Sequence, residues 1–344
     1  MKILENVPLA PFTTFGIGGP AQWFVEAANE PEIVDAVSWA RERSLPLFVL
    51  GGGSNLLVSD AGFAGLVLRI ALKGVESETD AGSRLYRIAA GEDWDGVVER
   101  AVRDNCAGIE CLAGIPGTVG GTPVQNVGAY GQEVSETIER VRVLDLETLH
   151  LREMPASECG FAYRTSIFNS TARGRYLVTR VDYRLAESGA ANLRYADLQK
   201  AFPGGSLPIL AEVAQTVRKI RRSKGMLLVE GDPDCRSAGS FFKNPIVSAE
   251  QFADLAARLG QEPPHYPAGA GQAKLPAAWL IEKAGFRKGF SLGRAGISSR
   301  HTLALVNLGG ATAVEMLALR DAIAAGVDAK FSIRLQMEPV LVGF

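Results

Sequence analysis

Several short stretches of this 344-residue chain hold side chains in combinations suited to chemistry. In Ser237 to Pro245 (SAGSFFKNP), small residues deliver Ser240 in a tight bend, and Phe241 and Phe242 anchor the chain after it. A serine so placed serves as a nucleophile, a proton donor or a turn hydroxyl. Nucleophilic use requires an adjacent base, and the scattered His150, His265 and His301 suit a Ser-His-Asp triad poorly. Proton donation needs only a positioned hydroxyl and a strongly basic, carbanion-like partner. Arg164 stands beside Tyr163 in FAYRTS. Its planar fork suits a substrate carboxylate, and a surface ion pair is the plain alternative. Glu338 precedes Pro339, where nothing local requires a carboxylate, and a solvated edge-strand glutamate is its bland reading. Arg218 to Lys224 (RKIRRSK) reads as the solvated basic face of a helix. Lys224, at the helix end, is placed to meet an anion.

Two glycine-rich stretches suggest a ligand of nucleotide type. Ala113 to Gly131 holds six glycines, two prolines and no charged residue, with Ile115, Val119, Val124, Val127 and Tyr130 interleaved. Such a loop is buried or pressed against a large ligand, because glycine lets backbone N–H groups approach closely and cradle phosphates without a lysine. Gly51-Gly52-Gly53-Ser54-Asn55 follows a short apolar strand directly. Together the two loops could clamp a pyrophosphate from both sides. Neither carries GxxxxGK[ST] or GxGxxG spacing, so P-loop and Rossmann chemistry are disfavoured.

The elements that must position these residues alternate in the first half. Pro31 to Arg43 is predicted helical, opened by proline. Strands are predicted at Leu45–Leu50, Leu66–Ile70, Leu85–Ala90, Val141–Leu146 and Tyr176–Leu185, with a helix at Asp93–Asn105. Leu177, Thr179, Val181, Tyr183 and Leu185 share one face by the period of two. Glu187 to Pro208 reads as a boundary carrying the island Leu193 to Leu198. Helices are then expected at Glu212–Lys224, Ser248–Leu259, Leu275–Ala284 and Ala311–Ala325. Ser248 and Gln251 form a capping box and Gly260 the stop. A strand at Leu303–Asn307 and a final alternating strand at Phe331–Val342 complete the reading.

The length suggests more than one domain. Hydrophobic residues at 47%, charged residues at 22% and a net charge of −2 describe a soluble globular chain and argue against nucleic-acid binding through bulk charge. No stretch approaches the roughly 18 apolar residues that span a bilayer, and the N-terminus lacks a signal-peptide core. A cytoplasmic location is expected. Cys106, Cys111, Cys159 and Cys235 show no CxxC spacing and there is no HxxxH pair, so no metal is implied.

In order along the chain come TTFGIGGPA at Thr13, GGGSN at Gly51, IPGTVGGTPVQNVGAYG at Ile115, YRTSIF at Tyr163, GSFFKNP at Gly239, AAWLIEKAG at Ala277 and LQMEP at Leu335. This set resembles the UDP-N-acetylenolpyruvoylglucosamine reductase (MurB) family over nearly the whole chain. The island around Tyr195 resembles the YxDL loop of its type I branch, in which a tyrosine folds over substrate. The resemblance implies an α+β protein with an FAD-binding fold of the vanillyl-alcohol-oxidase (PCMH) type in two subdomains, plus an α+β substrate-binding domain. The implied boundaries are residues 1–205 for FAD (subdomains about 1–70 and 71–205), 206–330 for substrate, and 331–344 for a strand returning Glu338 to the active site.

By the same resemblance, non-covalent FAD lies against Gly51, Gly52, Gly53, Ser54, Asn55, Ile115, Pro116, Gly117, Thr118, Gly120 and Gly121. NADPH reduces it and leaves, and UDP-N-acetylglucosamine enolpyruvate then takes its place. Ser240 matches the proton donor, and Arg164 and Glu338 match the pair that grips and polarises the carboxylate. Tyr163, Tyr195, Lys224 and Asn244 match substrate contacts. The stretch between Lys224 and Ser240 is longer than the short connection of the type I pattern. The implied partners are small molecules only, with neither nucleic acid nor membrane, and the chain is expected to be a monomer. Two rivals remain at this point: another flavin oxidoreductase of the same fold acting on an alcohol or sugar, and a non-catalytic nucleotide-sugar binding protein.

Overall fold

A computed structural model describes residues 1–205, 207–269 and 271–344. Ser206, where the expected substrate domain begins, lies outside the described residues. Two compact units emerge. The first comprises residues 1–7, 21–53 and 63–223, the second 8–20, 54–62 and 224–344.

The first unit contains a four-stranded sheet in the order Ile3–Pro8, Pro20–Ala27, Phe63–Ile70, Leu47–Leu50, the last three parallel. A second, antiparallel sheet runs Leu151–Pro155, Ile138–Asp145, Tyr176–Glu187, Ser83–Ala89, Val75–Asp80, with Cys106–Ala107 added to the long strand. The face read in that long strand is buried at Leu177, Thr179, Val181, Tyr183 and Leu185, while on the other face Val178 and Asp182 are buried as well and Arg180 and Arg184 are half-buried. Helix α1 (Glu30–Glu42) begins where Asn29 accepts the Glu32 N–H at 2.9 Å and Pro31 fills a position that needs no N–H. Helix α2 (Trp94–Arg103) is capped by Asp93, which accepts the Gly96 N–H at 2.8 Å, and buries Trp94, Val97, Val98 and Ala101. Short α3 (Ala196–Ala201) and long α4 (Leu210–Ser223) close this unit.

In the second unit, α5 (Ala249–Leu259) carries the anticipated capping box between Ser248 and Gln251 and ends at left-handed Gly260. Helix α6 (Ala277–Lys283) and helix α7 (Ala313–Phe331) pack around small sheets, one of which pairs Val340–Val342 in parallel with Leu56–Val58. Its core gathers Phe15, Phe241, Phe242, Leu280, Met316, Ile323 and Phe331.

The C-terminal region departs from expectation. Helix α7 runs through Gly326 to Phe331, and only Val340–Val342 is strand. The helix was expected to end at Ala325, and a glycine inside a helix costs about 1 kcal/mol relative to alanine. Here a Cβ at Gly326 would lie 2.6 Å from the Phe286 ring, so the missing side chain is what lets that ring pack on the helix. The inside–outside alternation after Phe331 persists as burial without a ladder: Ile333 is buried while Ser332 and Arg334 are exposed.

Candidate active site

In the first unit, the strand Leu47–Leu50 runs parallel to its neighbour and releases Gly51, Gly52 and Gly53 at its C-terminal end, where α/β sheets commonly hold ligands. This loop meets the second glycine segment backbone to backbone. A Cβ on Gly52 would lie 2.5 Å from the Gly117 Cα, and one on Gly51 would lie 2.9 Å from the Thr118 hydroxyl oxygen. Only glycine permits that approach. The second segment is itself stitched to the residues that open α2. Trp94 N–H donates to Gly117 O at 3.1 Å, Val119 N–H to Glu92 O at 2.9 Å, and Gly120 N–H to Ala90 O at 2.8 Å. Ile115 packs on the core and Pro116 is half-buried beside it, whereas Gly121 faces open space.

Two buried polar atoms here, Thr118 Oγ1 and Trp94 Nε1, have no hydrogen-bond partner among the described residues. Leaving a buried donor unpaired is costly. An unpaired hydroxyl at a two-glycine crossing leaves one donor available to a bound phosphate oxygen. The residues therefore fit the expected FAD.

Arg221 on α4 was expected on a solvated face and instead is buried, donating from Nε to Gly114 O at 2.9 Å. Burial lowers its pKa, opposed by the Tyr130 hydroxyl and the Asp95 carboxylate nearby. The charge pattern of RKIRRSK conceals this, because only α4's register against the Gly114 turn turns Arg221 inward. Its neighbour Arg218 does behave as a surface cation, pairing with Asp95 at 2.5 Å and Glu99 at 3.0 Å.

Arg164 sits at a tight turn closed by reciprocal Ala162–Thr165 backbone bonds, with φ of +54°. Its guanidinium donates to Gly128 O at 2.6 Å and lies 5.3 Å from the Tyr163 ring centre. Ser166 secures the turn by donating to Val124 O at 2.6 Å. Arg164 and Tyr163 are thus anchored on the later part of the glycine-rich segment. Tyr195 is exposed and meets the Tyr130 ring edge-on at 5.2 Å.

The second unit gathers Ser240, Asn244, Glu338, Asn55 and Lys224. Left-handed Gly239 makes the bend before Ser240, and its N–H donates to Ser237 Oγ at 3.3 Å. The Ser237 carbonyl in turn accepts from the Thr14 hydroxyl at 2.6 Å. Phe241 and Phe242 are buried and packed edge-on, as anchors should be. Glu338 N–H donates to Phe241 O at 2.9 Å, Phe242 bridges Met337, and Asn55 Nδ2 donates to Glu338 O at 3.3 Å. Val340 N–H closes the set on Asn55 O at 2.9 Å. Ser54 accepts from Thr14. Asn244 spends its Oδ1 on the Ala277 N–H at the start of α6.

Lys224 follows α4, and the next residue, Gly225, lies against Asp234, Ser298 and Arg300. The long stretch between Lys224 and Ser240 is locked by that network: Asp234 accepts from Ser299 N–H at 2.9 Å, Ser299 Oγ at 2.6 Å and Arg300 Nε at 2.8 Å, and Arg300 also pairs with Asp232. His301, one of the three histidines set aside as a triad base, is half-buried beside it. Burial first, then the Lys224 and Lys288 charges, push its pKa down to about 4. Its Nδ1 accepts the Leu303 N–H at 3.0 Å, and Leu303 O accepts the Phe241 N–H at 2.7 Å. No group of residues able to hold a metal ion occurs among the described residues.

Comparison with known proteins covers both regions. Residues 21–150, which hold the two glycine loops, match the family model described as "FAD binding domain". Residues 232–342, which hold Ser240 and Glu338, match "UDP-N-acetylenolpyruvoylglucosamine reductase, C-terminal domain". UDP-N-acetylenolpyruvoylglucosamine reductase of Thermobifida fusca is 49% identical, covering 98% of each chain. That of Streptomyces avermitilis is 47% identical over 99% of this chain and 95% of its own. The crystal structure of the Thermus caldophilus reductase superposes with a TM-score of 0.67 at 27% identity, covering 99% of both chains. The chain belongs to the UDP-N-acetylenolpyruvoylglucosamine reductase family.

Proposed function

We propose that the chain reduces UDP-N-acetylglucosamine enolpyruvate to UDP-N-acetylmuramate for peptidoglycan precursor synthesis, with FAD as cofactor and NADPH as reductant. Bound FAD, held by Gly51–Asn55 and by residues 115–121, would supply two-electron hydride chemistry between NADPH and the terminal methylene carbon of the enolpyruvyl group. The carbon beside the carboxylate then needs a proton, and Ser240 Oγ donates it. Net addition of one hydride and one proton converts the enol ether to the lactyl ether. Arg164 holds the substrate carboxylate with its planar fork. Glu338, protonated or hydrogen-bonded, stabilises the charge that develops there, since a bare carboxylate beside an enolate would repel it. Tyr163, Tyr195, Lys224 and Asn244 position the sugar nucleotide, with Lys224 and Tyr195 at its diphosphate.

The observation that carries this reading is the backbone tie between Glu338 and Phe241, the residue after Ser240. A proton donor and a polarising carboxylate need a shared frame, and that tie supplies one. The interlocked glycine loops and the buried Arg221 charge support an anionic dinucleotide in the other unit. We read residues 1–205 as the FAD-binding region, 206–330 as the substrate-binding region, and 331–344 as the segment that returns Glu338. Both substrates are soluble small molecules, and no described helix is long and apolar enough to cross a membrane. A cytoplasmic monomer is the state we propose.

The purified protein is expected to be yellow with extractable FAD and to oxidise NADPH only when the enolpyruvyl sugar nucleotide is present. A colourless protein, or one that consumes oxygen equally well with a simple alcohol, overturns the proposal.

A further inference from the structure

The base of the Tyr195 segment converges on one asparagine. Asn192 N–H donates to Glu110 Oε1 at 2.8 Å, and the other oxygen of that fully buried carboxylate accepts the Gly108 N–H at 2.8 Å. The Asn192 carbonyl accepts from the Cys111 thiol at 3.3 Å. The side chain faces the other way and makes two further bonds. Its Oδ1 accepts the Arg194 N–H at 2.9 Å, and its Nδ2 donates to Gly131 O at 3.0 Å. Gly131 follows Tyr130, the residue whose ring Tyr195 meets edge-on. Beyond Tyr195 the chain is held again, because Leu198 on α3 is fully buried. Tyr195 itself is exposed between these two fixed points.

We infer that Asn192 is a positioning residue that ties the Tyr195 segment to the end of the glycine-rich loop and so sets where Tyr195 meets substrate. The inference rests on the proposed role of Tyr195 as a substrate contact. The amide is suited to the task because it accepts and donates at once, folding the chain toward Arg194 with one atom and holding Gly131 with the other. An aspartate would keep the first bond and lose the second.

The test uses the FAD-loaded enzyme. In Asn192→Ala, amide hydrogen exchange over residues 193–202 is expected to rise about tenfold. The KM for UDP-N-acetylglucosamine enolpyruvate is expected to rise about 5- to 20-fold. Reduction of the flavin by NADPH should keep its rate. Asn192→Asp, which keeps only the Arg194 bond, should shift exchange and KM in the same direction as Asn192→Ala by a smaller factor. Unchanged exchange, or full rescue by aspartate, overturns the tie to Gly131. Faster exchange with an unchanged KM overturns its bearing on substrate. A Tyr195→Ala variant with an unaltered KM overturns instead the reading of Tyr195, and exchange then decides the anchoring by itself.

Discussion

The backbone N–H of Glu338 donates to the carbonyl of Phe241 at 2.9 Å, so a residue near the C-terminus is registered on the peptide that follows Ser240. The bond involves no side-chain atom of either residue. The Glu338 carboxyl can therefore be altered while the frame holding Ser240 stays in place.

Glu338→Gln exploits that separation. The variant should fold with an unchanged melting temperature and be reduced by NADPH at the normal rate. Reoxidation by the enolpyruvyl substrate should slow by about 10²- to 10³-fold, the range expected when one transition-state stabilising group is lost. Stopped-flow absorbance of the flavin measures both rates. Equal slowing of the two would deny Glu338 a role confined to substrate.

Gly52→Ala places a methyl group 2.5 Å from the Gly117 Cα, in backbone that cannot step aside cheaply. The glycine loops should separate, with FAD affinity falling more than about tenfold and stability by about 1–3 kcal/mol, as for other overpacked sites. Gly96→Ala in α2 is the control, since it is not among the expected FAD contacts and its added carbon meets nothing nearer than the Asp93 carboxylate at 3.4 Å. Fluorescence titration of apoprotein with FAD, beside thermal melts, distinguishes them. Retained FAD binding in Gly52→Ala would contradict the clamp.

Thr118→Val removes a buried hydroxyl that has no partner among the described residues. Because an unpaired buried polar group is a cost, the apoprotein should melt at the same temperature or higher. FAD should bind about 5- to 10-fold more weakly, the loss of one hydrogen bond. A destabilised apoprotein with unaltered FAD affinity would mean that the hydroxyl serves the fold.

His301 sets an acid limit on stability. Its pKa is about 4 in the folded chain against an ordinary 6.5, so unfolded chains take up its proton first as pH falls. The stability it confers is complete above about pH 6.5 and drains away between there and pH 4, by up to about 3 kcal/mol. His301→Gln should flatten the wild-type decline between pH 6.5 and 4.5, measured by urea unfolding. Parallel curves for the two proteins would refute this.

Local geometry was legible because its signals are local. Small residues before two phenylalanines told of the Ser240 bend, and Ser248, Gln251 and Gly260 marked both ends of α5, whereas the glycine stretches suggested two ligand loops without showing that Gly52 meets Gly117. What escaped depends on distant partners. Gly326 lies inside a helix because the Phe286 ring, 40 residues earlier, fills its place. Arg221 turns inward because α4 packs where the Gly114 carbonyl waits. His301 and the Asp234–Arg300 network lie in loops with no periodicity to betray burial. The long stretch before Ser240, a departure from the type I pattern, is held by that network.

The central claim is that Ser240 supplies the proton that completes reduction of the enolpyruvyl group. The direct measurement is the two half-reactions of Ser240→Ala, followed separately by flavin absorbance. Reduction by NADPH should be nearly intact, and reoxidation by UDP-N-acetylglucosamine enolpyruvate should slow by at least about 10²- to 10⁴-fold, the contribution typical of a positioned proton donor. Comparable losses in both half-reactions, or reoxidation at the wild-type rate, would contradict it.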